Sequence, residues 1–203
     1  MDPSAYCSSM SRVVVINHVT VDGVMQAPGR PEEDTRDGFT HGGWASPNVD
    51  AVVMTALGAR MGEGMRLLLG RRSYEGILGY WNTQDSPFTP ALNNAGKYVA
   101  SRTLSEPLRW PNSALLRGDV PEAVAQLKQQ PGSDMIVMGS GELIQTLMRK
   151  QLIDEYLLMI HPLVLGSGRR LFAHGSTPAR LHLVDSTAST TGVVIATYQP
   201  DRA

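Results

Sequence analysis

The stretch MIVMGSGELI at residues 135–144 decides the fold of this chain. It begins with four apolar residues in a row, a pattern typical of a short strand that is buried on both faces of a sheet. Apolar residues then recur at helical spacing over residues 143–148, which predicts an amphipathic helix. Because only Gly139, Ser140 and Gly141 separate the two patterns, we expect the strand to lead directly into the helix, as in α/β proteins.

A second junction of the same kind lies at residues 67–75, with the sequence LLLGRRSYE, and a helix is predicted from about Ser73. Further helices are predicted at residues 48–61, after the N-cap candidate Asp119 and over residues 143–150. The alternation of strands and helices predicts an α/β fold with a mostly parallel sheet, whereas the strand-only C-terminal part predicts antiparallel edge strands. The predicted strands are residues 12–16, 65–69, 97–100, 114–116, 134–138, 155–165, 180–186 and 193–199.

Length and composition fit one soluble domain. The chain has 203 residues, and we expect a flexible leader at residues 1–11 and a single domain at residues 12–200. The net charge of -1 weighs against a nucleic-acid partner, because such partners favour a basic surface. Neither a signal-peptide pattern nor an apolar run of about 20 residues is found, so we expect no membrane partner and a cytoplasmic location. The single cysteine, Cys7, lies in the leader and excludes a disulfide framework.

Both junctions have features that suit a phosphate group. Free backbone N–H groups at a helix N-terminus attract anions, and Arg71 and Arg72 stand beside the first junction. A third predicted strand ends in hydroxyl groups and an arginine at residues 101–103. The local alternatives are a glycine turn with solvated arginines at the first junction and a plain tight turn at residues 139–141. The second pattern is not a full dinucleotide fingerprint, since Ile144 replaces its third glycine.

Seven stretches have an order and spacing that point to one family. They are TVDGVMQ at residues 20–26, LGRRSYE at 69–75, SRTL at 101–104, VMGSG at 137–141, IDEY at 153–156, HPLVLGSG at 161–168 and LF at 171–172. Together they resemble the dihydrofolate reductase superfamily, and within it the branch that includes the reductase domain of bacterial riboflavin biosynthesis. The resemblance covers residues 12–199.

The resemblance implies a dihydrofolate-reductase-like three-layer fold around a central sheet of about eight strands, with NADPH as the hydride donor. The adenosine 2′-phosphate would contact Gly70, Arg71, Arg72, Ser73, Ser101, Arg102 and Thr103. The pyrophosphate would lie against Gly139, Ser140, Gly141, Glu142, Leu143 and Ile144. The arginines agree with NADPH rather than NADH, because a 2′-phosphate favours a nearby arginine.

The substrate side is predicted from the same resemblance. Asp22 and Gly23 follow the first strand and would border the nicotinamide and the substrate. Asp22 and Asp50 are the candidate catalytic proton donors, Asp50 because pterin enzymes carry an acid on their first helix. Each also has a structural interpretation, Asp22 as a turn residue that caps N–H groups and Asp50 as an acid stabilised by a helix dipole. Independently of the resemblance, Trp44 and Trp81 are candidate walls of the substrate cleft, because aromatic residues in glycine-rich loops often line such sites, or they are packing residues.

The five histidines lack the spacing of a metal site, so no metal is expected. His18 on the first strand is a candidate to face the cofactor, whereas His161 is interpreted as a structural histidine. The loop at residues 26–46 is long enough for a functional role. A ribosyl phosphate would need a basic site on the substrate side, for which the candidates are Arg30, Arg36, Arg169 and Arg170.

These features predict an NADPH-dependent reductase that transfers hydride to a small heterocyclic substrate, pterin- or aminopyrimidine-like, or to a carbonyl compound. Two alternatives remain open. One is a non-catalytic nucleotide- or pterin-binding module of the same fold, and the other is a flavin-dependent relative. Long apolar strands near the C-terminal edge of the sheet also favour a homodimer, because exposed edges are usually covered or paired.

Overall fold

The structure, a computed structural model, describes residues 10–62 and 64–201. Its strands are β1 (Val13–Thr20), β2 (Arg66–Gly70), β3 (Gly96–Ala100), β4 (Ser113–Leu116), β5 (Met135–Met138), β6 (Glu155–His161), β7 (Leu181–Ala188) and β8 (Val194–Pro200). Its helices are α1 (Ala51–Gly58), α2 (Arg71–Trp81), α3 (Phe88–Asn94), α4 (Val120–Gln129) and α5 (Gly141–Arg149). The strands form one eight-stranded sheet in the order β4-β3-β2-β5-β1-β6-β8-β7.

Strands β1 to β6 are parallel to one another, whereas β8 is antiparallel to both β6 and β7. The predicted α/β fold, with a mostly parallel sheet and antiparallel C-terminal strands, is therefore confirmed. Parallel strands place their carboxyl ends at the same edge of a sheet, where α/β proteins bind ligands. The segments that follow β3, β2, β5 and β1 consequently meet at that edge.

Helices cover both faces of the sheet, which gives the predicted three layers. Successive side chains of a strand point to opposite faces, so neighbouring residues of β1 enter different cores. Ile16 packs in one core with Val53 of α1 and Leu78 of α2. Val15 packs in the other with Ile144 of α5. The sheet is therefore buried on both sides along its parallel strands, as their nearly continuous apolar sequences predict.

Several element boundaries differ from the predicted ones. Helix α2 begins at Arg71 rather than at about Ser73, so both of its arginines lie in the first turn. Strand β1 continues to Thr20 rather than ending at Ile16, because it pairs with β6 as far as the partners Thr20 and His161. Strand β6 ends at His161 rather than at residue 165, because Pro162 has no N–H group to continue the ladder. The helix predicted at residues 48–61 is the shorter α1, which begins after its N-cap Asp50.

Helix α3 was not predicted, because two prolines in the sequence SPFTPALNN suggest a loop. Proline is tolerated in the first turn of a helix, where its missing N–H would have no intrahelical partner. Pro87 is the N-cap residue of α3, and Leu92 is buried. The Phe88 ring packs against Trp81 of α2 with 5.5 Å between centroids. Tertiary packing therefore stabilises this short helix.

The amino-terminal segment joins the packed domain before residue 12. Residues 1–9 of the predicted leader, including Cys7, lie outside the described residues. Ser11 is buried, and its Oγ donates a hydrogen bond to the Gln130 carbonyl at 2.7 Å. The Arg12 guanidinium lies 2.7 Å from the Asp134 carboxylate and 3.1 Å from that of Glu155. These contacts hold the start of β1 at the sheet edge opposite the one where β1 and β5 end.

Candidate functional site

A cleft of about 1780 Å³ opens at the carboxyl ends of the parallel strands. Its walls are the strand ends, the first turns of α2 and α5, and parts of two loops at residues 25–36 and 168–174. A site for one drug-sized ligand usually measures about 300–1000 Å³. The cleft therefore has room for two ligands side by side.

One part of the cleft, called here the phosphate end, consists of residues 70–73, 101–103 and 139–143. Hydrogen bonds connect these three stretches directly. The Ser140 N–H donates to Ser73 Oγ at 2.8 Å, and the Gly70 N–H donates to Ser140 Oγ at 2.9 Å. The Arg71 Nη1 donates to Thr103 Oγ1 at 2.9 Å. The structure therefore brings the three predicted phosphate-binding stretches together at the ends of β2, β3 and β5.

The serine side chains of the phosphate end hold the protein's own backbone, since Ser73 and Ser140 both accept hydrogen bonds from it. The N-termini of α2 and α5 have no side-chain cap. Their first-turn N–H groups therefore remain for a ligand, as at other anion-binding helix ends. Ile144, expected from the resemblance to contact the pyrophosphate, is instead fully buried in the core, and its N–H donates to the Ser140 carbonyl at 3.0 Å.

Two successive left-handed residues form the turn between β5 and α5. Gly139 has φ 59° and Ser140 has φ 53°. The left-handed region is uncommon for residues other than glycine, and such outliers concentrate at binding sites. A Cβ atom at Gly139 would lie 2.9 Å from Ser73 Oγ. Only glycine fits this position while Ser73 holds the Ser140 N–H.

Three arginines of the phosphate end are exposed. Arg72 Nη1 lies 3.9 Å from Glu142 Oε1, and Arg71 Nε lies 3.6 Å from Glu75 Oε2. Exposed ion pairs of this kind contribute little to stability, so their guanidinium groups can turn to a bound anion at small cost. Arg102 is also exposed, at the end of the turn that follows β3. The phosphate end thus combines open helix N-termini with exposed positive charge.

The second part of the cleft, called here the apolar end, is lined by Ile16, His18, Val49, Leu57, Trp81 and Met159. All except His18 belong to the hydrophobic core between the sheet and helices α1 and α2 or pack against it. His18 follows Ile16 on the same face of β1 and pairs in register with Met159 of β6. The apolar end is therefore a core-like wall that carries one imidazole.

His18 and His161 form a buried pair at the apolar end. His18 Nδ1 and His161 Nε2 lie 2.8 Å apart. Burial lowers the pKa of His18 to about 4, with a further contribution from His161, and burial also lowers the pKa of His161 to about 4. Both rings are consequently neutral at pH 7. His161 is buried as interpreted from the sequence, but within the described residues its Nδ1 has no hydrogen-bond partner.

Asp22 holds the turn after β1 against the loop after β6. Its carboxylate accepts hydrogen bonds from Thr20 Oγ1 at 2.6 Å and from the N–H groups of Leu165 at 3.2 Å and Gly166 at 2.9 Å. The Thr20 hydrogen bond is the largest cause that lowers the pKa of Asp22 to about 2. Neither Asp22 nor Gly23, which has φ 81°, is among the described residues that line the cleft.

Asp50 is the N-cap of α1 and also accepts hydrogen bonds from the turn between β7 and β8. Its Oδ1 accepts from the Val53 N–H at 3.0 Å, and its Oδ2 accepts from the N–H and Oγ1 of Thr190 at 2.8 and 2.6 Å. The Thr190 hydroxyl is the first cause that lowers the pKa of Asp50 to about 2. The carboxylate is ionised at neutral pH and lies outside the described cleft lining.

The two tryptophans predicted for the substrate side lie in different environments. Trp81 lines the cleft. Trp44 is buried in a small core with Val24 and Phe39, and its Nε1 donates to the Gln26 carbonyl at 2.7 Å. The Trp44 ring also lies edge-on to His161, with 5.2 Å between centroids. Trp44 therefore packs against His161 and is not among the described residues that line the cleft.

Asn17 is a cleft residue that the sequence interpretation missed. It is buried at 6% exposure, and its Oδ1 accepts from the Gly139 N–H at 2.9 Å. Its Nδ2 is buried, and no partner for it is found among residues 10–62 and 64–201. The available signal was the polar pair Asn17 and His18 inside an otherwise apolar strand, since buried polar groups usually have partners.

The arginines considered for a ribosyl phosphate already have partners. The Arg30 guanidinium lies 4.1 Å from the centroid of the Tyr80 ring. The other three form ion pairs, Arg36 with Asp34, Arg169 with Asp37 at 2.9 Å, and Arg170 with Asp22 at 3.4 Å. Arg169 also lies 3.8 Å from Glu142 at the phosphate end. Arg30 and Arg169 thereby connect the 26–46 loop to neighbouring segments.

Two further findings concern the described part of the chain. Its helices include none that is both long and apolar enough to span a membrane. Across the same residues, no group of three or more His, Cys, Asp or Glu side chains is arranged to hold a metal ion.

The three layers, the strand order and the cleft at the carboxyl edge define a dihydrofolate-reductase-like, reductase-type fold. Residues 12–195 match the RibD C-terminal domain family, and the chain belongs to this family. The branch expected from the sequence is thereby confirmed. The match extends over both junctions of the phosphate end and over the histidine pair.

Individual relatives agree with this assignment. The uncharacterized protein YyaP of Bacillus subtilis (strain 168) is 34% identical over 138 residues, which are 65% of this chain and 72% of YyaP. A putative riboflavin biosynthesis protein from Shewanella sp. PV-4 is similar in structure, with TM-score 0.69, 21% identity and coverage of 94% of this chain and 99% of that one. A dihydrofolate reductase from Enterococcus faecalis, complexed with NADP(H) and RAB-propyl, has TM-score 0.59, 13% identity and coverage of 94% and 97%. At these identities the structural matches establish the fold.

Proposed function

We propose that this protein is an NADPH-dependent reductase that transfers hydride to a small heterocyclic or carbonyl substrate. The observation that carries the proposal is the phosphate end. There, two uncapped helix N-termini lie beside Arg71, Arg72 and Arg102 at the ends of neighbouring strands. The structurally similar Enterococcus faecalis enzyme is a dihydrofolate reductase complexed with NADP(H), which supports the same cofactor here.

The residues of the phosphate end fit a phosphorylated dinucleotide. The open first-turn N–H groups of α5 suit a pyrophosphate, because they combine unpaired donors with the positive end of a helix dipole. Arg71 and Arg102 suit an additional 2′-phosphate, which arginine recognises with a planar fork of donors. The buried Asn17 Nδ2 offers a further unpaired donor beside Gly139. When bound, NADPH would supply the hydride, while this chain's residues bind and orient it and exclude water.

Binding experiments test this assignment directly. A ligand at 100 times its dissociation constant stabilises the folded protein by about 2.7 kcal/mol. We expect NADPH to raise the melting temperature, and NADH and FMN to raise it much less at equal concentration. Equal shifts with NADPH and NADH would contradict the role given to the arginines. A shift with FMN alone would favour a flavin-dependent relative.

A non-catalytic binding module is the second candidate, and one observation favours it. Both predicted proton donors, Asp22 and Asp50, are ionised at neutral pH and are engaged in structural hydrogen bonds outside the cleft. Under the reductase proposal, the proton would therefore come from water or through another group. Absorbance loss of NADPH with a panel of pterins, aminopyrimidine ribosides and quinoid carbonyls separates the two candidates. Tight NADPH binding without oxidation by any of them would favour the module.

We also propose that the chain forms a homodimer through the β7 edge of the sheet. Leu183 and Val184 of β7 are 53% and 50% exposed, and Val194 of β8 is 41% exposed. The β7–β8 register shifts between Leu183 and Asp185, so these exposed apolar side chains lie at an irregularity of the edge strand. Exposed apolar edge strands are usually covered by another chain. Light scattering should give about twice the chain mass of 22.0 kDa, and the chain mass itself would contradict the proposal.

A further inference from the structure

The apolar end of the cleft has its own hydrogen-bonding group, the His18 and His161 pair. The two residues lie on the same face of adjacent strands, as the register of Met159 with His18 and His161 with Thr20 requires. The nitrogens that face each other are His18 Nδ1 and His161 Nε2, 2.8 Å apart. The His161 ring is fully buried, whereas the His18 ring lines the cleft. Any group that His18 presents to a ligand is therefore set by His161 behind it.

The unpaired nitrogen of His161 decides which group His18 presents. Each neutral imidazole carries one N–H donor and one acceptor nitrogen. His161 Nδ1 is buried, and within the described residues it has no partner. A buried N–H without an acceptor is rarer than an acceptor without a donor, so the hydrogen of His161 belongs on Nε2. His161 Nε2 then donates to His18 Nδ1, and the hydrogen of His18 lies on Nε2, where it is available to the cleft.

Carboxylates are missing from the described residues of the apolar end. The acids that line the cleft lie on the 26–46 loop, on α2 and on the first turn of α5. Glu33 accepts hydrogen bonds from the Gly29 and Arg30 N–H groups, Asp34 pairs with Arg36, and Glu32, Glu75 and Glu142 are exposed. A diaminopyrimidine or pterin edge presents N–H groups and requires an acceptor opposite them. A neutral His18 N–H donor is the wrong partner for such an edge.

The arginines of the cleft near the apolar end are held by less exposed acids than those of the phosphate end. Arg36 and Arg170 pair with acids whose side chains are 20% and 18% exposed, whereas the acids beside Arg71 and Arg72 are 48% and 82% exposed. Arg169 lies 3.8 Å from an acid of the phosphate end. A substrate phosphate would have to replace these contacts, and the unpaired acids would then repel it. The substrate side consequently favours uncharged ligands, in contrast to the phosphate end.

From this geometry we infer that the apolar end binds a neutral, non-phosphorylated ring compound whose carbonyl oxygen accepts a hydrogen bond from His18 Nε2. The ring would pack against Ile16, Leu57, Trp81 and Met159, which form the apolar wall. His161 is a positioning residue, because it fixes the hydrogen of His18 on the nitrogen that faces the cleft. The inference rests on the proposed reductase function and names the substrate class of the same cleft.

Calorimetric titration of the NADPH-loaded protein tests the inference. The probes are isatin and menadione as neutral ring carbonyls, trimethoprim as a diaminopyrimidine, and ribose 5-phosphate as a sugar phosphate. We expect a ring carbonyl to bind more tightly than the other two probes. His18→Ala should weaken its binding about 3- to 10-fold, and His18→Gln, which keeps an N–H donor, should weaken it less. His41→Ala, a matched histidine change outside the described cleft lining, should leave it unchanged.

Several outcomes would overturn the inference while leaving the cofactor proposal intact. They are tighter binding of trimethoprim or ribose 5-phosphate, no binding of either carbonyl to the NADPH-loaded protein, and unchanged carbonyl binding in His18→Ala. The failure of NADPH itself to bind would instead overturn the proposed function, and the carbonyl titrations would then be made without cofactor. The two failures are distinguishable, because NADPH binding is measured by itself before any carbonyl compound is added.

The hydrogen position can also be measured without any ligand. Nitrogen-15 NMR of histidine-labelled protein distinguishes the two neutral tautomers of each ring, and His18→Gln assigns the His18 signals. We expect His18 to carry its hydrogen on Nε2 at pH 7, and His161→Phe to remove this preference. A His18 ring that carries its hydrogen on Nδ1 would overturn the inference, because Nε2 would then be an acceptor.

Discussion

The phosphate end and the apolar end of the cleft are built by different means. At the phosphate end, short turns place backbone N–H groups and exposed arginines beside one another, and few of these groups contribute to the core. At the apolar end, buried side chains from β1, α1, α2 and β6 serve as core and ligand wall at once. Changes to the exposed arginines of the phosphate end should therefore alter cofactor binding with little loss of stability. Changes at the apolar end should affect both.

The largest expected effect is a loss of the preference for NADPH over NADH when arginines of the phosphate end are replaced. A hydrogen bond to a charged group contributes about 1.5–3 kcal/mol, so Arg71→Ala combined with Arg102→Ala should weaken NADPH binding about 100-fold or more. NADH binding should change little, because the two arginines are assigned to the additional phosphate. Fluorescence titration with both cofactors measures the ratio.

Arg149→Ala is the control for that pair of changes, because Arg149 lies in the last turn of α5, outside the described lining of the cleft. It should leave both affinities as they are. The unfolding free energy of the double variant should also stay close to that of the unaltered protein. An equal loss of NADPH and NADH binding would place the arginines elsewhere on the cofactor and weaken the contrast between the two ends.

The histidine pair of the apolar end should make the free energy of unfolding depend on pH. The folded pKa values of His18 and His161 are about 4, below the ordinary value of 6.5. Between these values the unfolded chain binds more protons, so the free energy of unfolding should fall as the pH falls from 6.5 to 4. One shift of this size corresponds to about 3 kcal/mol.

Urea unfolding at several pH values measures this slope. The double variant His18→Gln with His161→Gln should have a flatter profile than the unaltered protein, since its other titrating groups are the same. The double arginine variant of the phosphate end should keep the original slope. Identical slopes in all three proteins would mean that the pKa values of the two histidines are the same in the folded and unfolded protein. The proposal of a neutral N–H donor at the apolar end would then be contradicted.

A smaller effect on stability is expected from replacing Gly139 at the phosphate end, with Gly38 as the control position. Gly139 and Gly38 have similar φ values, 59° and 73°, but a Cβ atom would touch Ser73 Oγ at 2.9 Å only in the first case. Both alanine variants should lose about 1 kcal/mol for the left-handed backbone. Gly139→Ala should lose about 1–3 kcal/mol more, because the added carbon displaces Ser73. Its NADPH affinity should fall as well, and that of Gly38→Ala should not.

The same contrast explains how much the sequence could predict. The turn at Gly139 and Ser140 requires unusual backbone angles, and glycines between a strand pattern and a helix pattern are visible locally. The histidine pair is separated by 143 positions in the chain, so only the sheet register brings it together. Helix α3 was missed because of its prolines, which are tolerated at its N-terminus, and the packing of Phe88 on Trp81 that stabilises it is a tertiary contact.

Asp50 shows which part of a residue's role the sequence can predict and which part it cannot. The sequence alternative to a catalytic acid was an acid within the first turn of a helix that begins at residue 48, whereas the structure makes Asp50 the N-cap of α1. The contact between its Oδ2 and Thr190 depends on the β7–β8 turn, 140 residues away. The local pattern therefore predicted a structural acid near the start of the helix, and only the tertiary structure shows which atoms its two oxygens bind.

The smallest expected effect on the cleft belongs to Asp50. Asp50→Ala should lower the melting temperature by a few degrees, because the N-cap and the contact with Thr190 are both lost. Asp50→Asn should lower it less, since asparagine also caps helices. Both variants should bind NADPH and the preferred carbonyl probe within about twofold of the unaltered protein, as expected for changes away from the site. A variant that kept its melting temperature but lost NADPH oxidation would indicate that Asp50 acts on the substrate in the cleft. The apolar end would then contain an acid, and the preference for a neutral carbonyl would lose its basis.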